Sequence, residues 1–313
     1  MTDASSEFGA IGPRRDAPAS AEPPGPRSTE SAASPPNRKA TFPDQGDPAG
    51  KARRKRYRLA TATGRVFLGL GRLSAMAPVR RLRHRLIKEH GGTYFKVRRS
   101  GGIELDALYI PPAGPPRDRP TVVISHGYLE SKEFHLREAM VFSDHGHPVV
   151  LFDHRSHGRS TGNAITFGVL ERQDVKAVID EAAALGSVKD SVITYGYSLG
   201  GGTLLQHATV DPRVMGVIAM APFADLAEAV RSFRELYVPF LPESWVLNGF
   251  EQASKQVGFD MFAASAMEAV AELDIPILLV VGDADRHLPA VRHACTLAER
   301  GSDRHTRLIT VPG

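Results

Sequence analysis

The chain has 313 residues, of which 42% are hydrophobic and 24% charged, with a formal net charge of +4 and one cysteine. A lone Cys295 excludes an intrachain disulfide and a cysteine-built metal centre, and it favours a cytoplasmic setting. The positive charge is local. Residues 51–100 carry 16 Lys+Arg against one acid, Glu89, for a net +15, which leaves the rest of the chain at −11.

Residues 1–50 are rich in Pro, Ala, Ser and Gly. After Met1 their large apolar side chains are Phe8, Ile11 and Phe42. Such a segment cannot bury enough apolar surface to offset its chain entropy, so we expect it to be disordered. It lacks the apolar core of a signal peptide, and its acids argue against a transit peptide.

Residues 51–92 interleave Val66, Phe67, Leu68, Leu73, Leu82 and Leu86 with Arg65, Arg72, Arg80, Arg81, Arg83 and Arg85. Two readings stand for this basic amphipathic segment. It is either a helix docked on the following domain with a solvated arginine face, or a contact through residues 51–90 with an anionic membrane surface. Its apolar runs are too short to span a bilayer. No nucleic-acid-binding motif accompanies the charge, so no nucleic-acid partner is expected.

From residue 93 strands and helices alternate. Residues 94–99 and 103–110 read as a hairpin around Ser100-Gly101-Gly102. Apolar strands follow at 121–125, 148–152, 192–195, 214–220, 277–281 and 306–311, separated by helices near 133–145, 172–185, 201–207 and 289–300. Continuously apolar strands between helices imply a mostly parallel sheet covered on both faces. Between Pro222 and Pro276 the rhythm breaks into helical pieces at 226–240 and 251–273, with Pro239, Pro242 and Trp245 near their junction. We read about 223–274 as a helical cap over the edge of the sheet where open α/β sheets bind ligands.

Gly196-Tyr197-Ser198-Leu199-Gly200 is a G-x-S-x-G motif between a strand and a helix. In that context the motif reads as a nucleophile elbow with Ser198 at its tip, the other reading being an ordinary Gly-rich turn after a strand. Side chains at 196 and 200 would collide with the neighbouring strand and helix, and the helix after Ser198 aims free N–H groups at a developing oxyanion.

Three further segments carry a resemblance. They are Ser125-His126-Gly127-Tyr128, Asp153-His154-Arg155-Ser156-His157-Gly158-Arg159-Ser160, and Gly282-Asp283-Ala284-Asp285 leading to Pro289. With the elbow and the order of elements they resemble the α/β-hydrolase superfamily over residues 93–313. The likeness is to the capped serine hydrolases that include bacterial carboxylesterases, acylglycerol lipases and serine aminopeptidase-like proteins. The resemblance implies Ser198 as nucleophile, Asp285 as the triad acid with Asp283 its rival, and an oxyanion hole from the backbone N–H groups of Tyr128 and Leu199. It implies structural roles for His126, Gly127, Gly196 and Gly200. Ser156 stands where the family usually has Gly. A metal reading of Asp153, His154 and His157 fails for want of ligand spacing, and no cofactor motif is present.

The resemblance also implies a histidine base beyond the last strand and a helix after it. Leu308 to Gly313 provides that strand and its Pro-Gly turn, with neither histidine nor helix following. We therefore expect a chain truncated at its C-terminus, with the C-terminal helix missing and impaired activity. Loss of one triad member leaves about 10³–10⁴-fold of the rate enhancement. His287, His293 and His305 are the substitutes the sequence offers. The expected function is a serine hydrolase of carboxylic esters or related acyl bonds, with a small acyl substrate. The alternatives are a non-catalytic binding protein on the same scaffold, or a serine peptidase of the aminopeptidase-like group.

Overall fold

A computed structural model describes residues 48–71, 87–114, 118–186 and 190–312. The disorder expected for residues 1–47, and the basic stretch 72–86, lie outside the described residues. Residues 48–50, expected to be disordered, instead open helix α1 (Pro48–Gly69).

Eight strands form one sheet: β1 (Thr93–Arg98), β2 (Glu104–Ile110), β3 (Thr121–Ser125), β4 (Val149–Phe152), β5 (Val192–Tyr197), β6 (Val214–Met220), β7 (Ile277–Gly282) and β8 (Thr306–Val311). Their spatial order is β1-β2-β4-β3-β5-β6-β7-β8. The hairpin pairs antiparallel at one edge, β2 joins β4 antiparallel, and all later neighbours are parallel. Side chains alternate across the pleat. Val122 and Ile124 of β3 and Val149 and Leu151 of β4 face helix α2 (Leu136–Asp144) through its Leu136, Ala139 and Met140. Val123, Val150 and Phe152 face the opposite layer, α3 (Glu171–Ala184) and α4 (Leu199–Ala208), through Val175, Val178, Ile179, Leu204 and Leu205. Burial on both faces is why these strands read as unbroken apolar runs.

The insertion between β6 and β7 holds α5 (Leu226–Tyr237), α6 (Glu243–Val257) and α7 (Ala266–Glu272). Helix α5 starts where the Asp225 carboxylate accepts the Glu228 N–H at 2.7 Å. It stops at Tyr237, short of the expected residue 240, because Pro239 forces Val238 out of helical geometry. The single helix expected over 251–273 is two. Helix α6 begins eight residues earlier, takes Trp245 into its first turn, and ends at left-handed Gly258 with φ 97°. Helix α7 starts afresh on Ser265, whose hydroxyl accepts from the Glu268 N–H. Helix α8 (Ala294–Arg300) is likewise shorter than the expected 289–300.

Helix α1 docks on α6. A Cβ at Gly64 would lie 2.9 Å from Ala253 Cβ and 3.1 Å from the Gly249 carbonyl, so the two helices are in close contact there. Of the two readings of the basic segment, docking therefore describes α1 through its C-terminal half, while Lys55, Arg58 and Arg65 stay exposed.

Candidate active site

The sheet order reverses direction at β3, which has β4 on one side and β5 on the other. The loops leaving the C-terminal ends of β3 and β5 therefore diverge around a crevice, the usual ligand position in an open α/β sheet. His126 to Tyr128 follow β3, Ser198 follows β5 and Asp285 follows β7.

Ser198 sits at φ 50°, ψ −111°, outside the ordinary basins for a non-glycine residue. Such a conformation costs on the order of 1–3 kcal/mol and persists only where the surroundings impose it. The two motif glycines show the constraint. A Cβ on Gly196 would stand 2.5 Å from the Gly200 carbonyl carbon at the start of α4, and one on Gly200 would stand 2.3 Å from the Ser125 carbonyl oxygen at the end of β3. The collisions expected from sequence are thus with the helix for Gly196 and with the strand for Gly200. The serine is anchored through its backbone, its N–H donating to the Met220 carbonyl at 2.8 Å. Among the described residues its hydroxyl has no hydrogen-bond partner, and neither do the Tyr128 and Leu199 N–H groups.

Ser198 opens into a cavity of about 690 Å³. Tyr128, Leu129, Tyr197, Met220 and Ala221 line it, with Phe233 and Tyr237 from α5. Asp285, His287, Leu288 and Val311 complete the lining from the ends of β7 and β8. Asp283, the rival acid, is not among the lining residues. One oxygen of Asp285 accepts the His287 and Leu288 N–H groups at 2.9 and 3.0 Å, which fixes its loop.

The three histidines offered by the sequence separate. His287 lines the cavity with Ser198, its Nε2 2.6 Å from the Tyr237 hydroxyl. His293 is buried, its Nδ1 accepting the Ala224 N–H and its Nε2 3.2 Å from the Ser232 hydroxyl. Burial holds it neutral, down to about 4. His305 precedes β8, at the end of that strand opposite Val311, and pairs with Asp274 at 3.1 Å.

Beneath the β3 turn lies a buried histidine cluster. His126 Nδ1–H donates to the Gly127 carbonyl and Nε2 accepts the His154 N–H, which defines one neutral tautomer. The His154 ring bonds the Ser125 hydroxyl at 2.7 Å, and His157 Nε2 faces the Leu129 N–H. Burial, followed by the mutual proximity of the rings, pushes His126 and His154 well below the ordinary histidine value, and burial takes His157 to about 4. These rings act as hydrogen-bonding struts. Ser156 adopts φ 60°, the left-handed geometry that glycine takes without strain, and its buried hydroxyl has no partner in the structure.

Sequence reading missed four groups around this turn. Lys132 is fully buried, with its ammonium on Asp106 and Asp153. Burial works to lower its pKa, but the charges of Asp153, Glu133 and Asp106 outweigh it and raise the value. Glu130 accepts the Gly127 N–H at 2.8 Å and bonds His135 at 3.0 Å. Burial would raise this carboxyl, and the hydrogen bonds from His135 and Gly127 bring it below its usual range. Nothing in local periodicity distinguishes these residues from surface charges.

The family model described as "Serine aminopeptidase, S33" matches residues 116–257. Among curated proteins the chain is 24% identical over 201 residues to the uncharacterised protein YqkD of Bacillus subtilis, covering 63% of this chain and 64% of that protein. It is 26% identical over 226 residues to a monoacylglycerol lipase of Mycolicibacterium smegmatis, covering 62% and 80% respectively. Among solved structures it superposes on the Pyrococcus furiosus esterase Pf2001 with a TM-score of 0.57 at 21% identity, over 72% of this chain and 85% of that one. The chain has the α/β-hydrolase fold. The expected fold class holds, with a mostly parallel sheet and helices on both faces. A second structural likeness is to Est1E from Butyrivibrio proteoclasticus, solved with ferulic acid, at TM-score 0.54 and 21% identity over 70% of this chain and 89% of that one. At such identities the structural likeness is one of fold. Helix α1 lies outside the matched residues.

Proposed function

We propose that the protein is a serine hydrolase of carboxylic esters or related acyl bonds. The observation that carries this reading is a strained Ser198 with an unpartnered hydroxyl, in a mainly apolar cavity shared with Asp285. Ser198 Oγ would attack the acyl carbonyl carbon while its proton passes to a histidine base oriented by Asp285. The two unpaired N–H groups, of Tyr128 and Leu199, would hold the oxyanion. Collapse would expel the alcohol carrying the transferred proton. Water would then attack the acyl-serine and release the acid. The β6–β7 insertion acts as the cap, through Phe233 and Tyr237.

His293 and His305 are committed elsewhere, so His287 is the described histidine placed for proton transfer. A histidine entering past Val311 would meet the same cavity. The test is labelling by a fluorophosphonate probe, with turnover of short-chain p-nitrophenyl esters, in wild type, Ser198→Ala and His287→Ala. Labelling and slow turnover, both lost in Ser198→Ala, support the reading. Loss of turnover in His287→Ala as well would make His287 the base. A wild type that neither labels nor turns over favours the binding-protein alternative.

We further propose peripheral contact of the basic segment with anionic membrane, favoured by the exposure of Lys55, Arg58 and Arg65 on a helix docked by its other side. No described helix is long and apolar enough to cross a membrane.

A further inference from the structure

The C-terminal turn of α1 meets the turn after β3 rather than merely covering the domain. The Phe67 ring stacks on Tyr128 with centroids 4.8 Å apart and planes 25° apart, and the Tyr128 hydroxyl donates to the Phe67 carbonyl. Phe67 also meets Phe250 of α6 at 5.1 Å and Phe233 of α5 at 6.0 Å, both edge-on. The next residue, Leu68, is fully buried in the cluster that contains Leu199, and its carbonyl accepts the Ile165 N–H at 3.0 Å. Close packing at Gly64 fixes the height of this turn against α6.

The turn it meets needs holding. Leu129 lies at φ 63°, a left-handed conformation for a branched apolar residue, and its N–H has only a long 3.4 Å bond to His157. A short loop in such geometry relaxes unless side-chain contacts over-determine it. Tyr128 provides the contact. Burial pushes its phenol well above the usual range, so it remains a neutral donor, and its partner is the α1 main chain.

We infer that Phe67 is a positioning residue that fixes the Tyr128 turn, making α1 a working part of the active site although it lies outside the matched hydrolase region. The catalytic consequence rests on the reading of the Tyr128 N–H as an oxyanion donor. Removing such a donor outright costs about 10²–10³ in kcat. Displacing it by loss of a ring contact should cost a fraction of that, about tenfold.

The test compares the full chain with Phe67→Ala, Phe67→Leu and Tyr128→Phe. It measures kcat and KM on p-nitrophenyl butyrate, together with amide hydrogen exchange of residues 126–131. We expect Phe67→Ala to lower kcat about tenfold with KM changed less than twofold, and to speed exchange at 126–131. Phe67→Leu should recover most of both. Tyr128→Phe, which removes one hydroxyl and no core volume, should speed the same exchange even if Phe67→Ala fails to fold. Wild-type exchange at 126–131 in Tyr128→Phe and in any folded Phe67→Ala would overturn the inference. Failure of the hydrolase reading is separately visible as a wild type no more active than Ser198→Ala. In that case the exchange data still decide whether Phe67 holds the turn.

Discussion

Lys132→Met tests the charge cluster that anchors the segment carrying Tyr128. The ammonium is wholly buried, 2.6 Å from Asp153, and also bonds Asp106, whose other oxygen is 3.0 Å from Lys96. Methionine matches the stem in size, so packing is nearly kept and the charge is lost. Asp106 retains Lys96. Asp153 retains only dipoles, the N–H groups of Lys132 and Arg159 at 2.8 Å. Removing one partner of a buried pair costs about 3–5 kcal/mol because the other charge stays buried and uncompensated. At about 2–4 °C per kcal/mol for a domain of this size, the melting temperature should fall by about 6–20 °C. The pH dependence carries a sign. Burial already holds the folded Asp153 carboxyl above its ordinary value against the opposing Lys132 charge, and in the variant, without that charge, it rises further. The deficit is therefore full at high pH and shrinks as pH falls through that raised value. Thermal melts at pH 8 and pH 5, with Asp153→Asn added to Lys132→Met, provide the assay. The second change should recover part of the loss. A melting temperature within 2 °C of wild type at pH 8, or a deficit that neither acid nor Asp153→Asn relieves, would refute the electrostatic account.

Burial depresses His126, His154, His157, His207 and His293 in the folded state, the last three to about 4. Unfolded histidines titrate near 6.5, so their contribution is complete above about pH 6.5 and is lost as pH falls towards 4, by up to about 1.4 kcal/mol per pH unit for each. Urea midpoints should drop between pH 7 and pH 5, and a flat profile would contradict the neutral cluster. Binding of the full chain to phosphatidylserine vesicles should be detectable at low salt and largely lost at 0.5 M NaCl. Equal sedimentation with neutral vesicles would end the membrane proposal.

Much of this protein is legible in one dimension because its constraints are local. Two-sided burial writes a parallel strand as an unbroken apolar run, and a turn that admits no Cβ writes Gly196 and Gly200. The insertion was visible as a break in rhythm, although its internal helix ends were set by Pro239 and Gly258 and misjudged by several residues. Asp285 was named as the acid from the family resemblance, and its place in the Ser198 cavity is a matter of the fold. Long-range pairings left no local trace. Lys132 and Asp106 are 26 residues apart and look like surface charges until burial brings them together. Phe67 and Tyr128, 61 residues apart, belong to segments that the sequence reads as a basic extension and a hydrolase turn. The sequence by itself determined the succession of strands along the chain and the tight turn at Ser198, because each depends on neighbours within a few residues. Only the tertiary structure decided which histidine shares the cavity and that α1 packs on the turn beside it, because both depend on which surfaces meet when the sheet and its insertion close together.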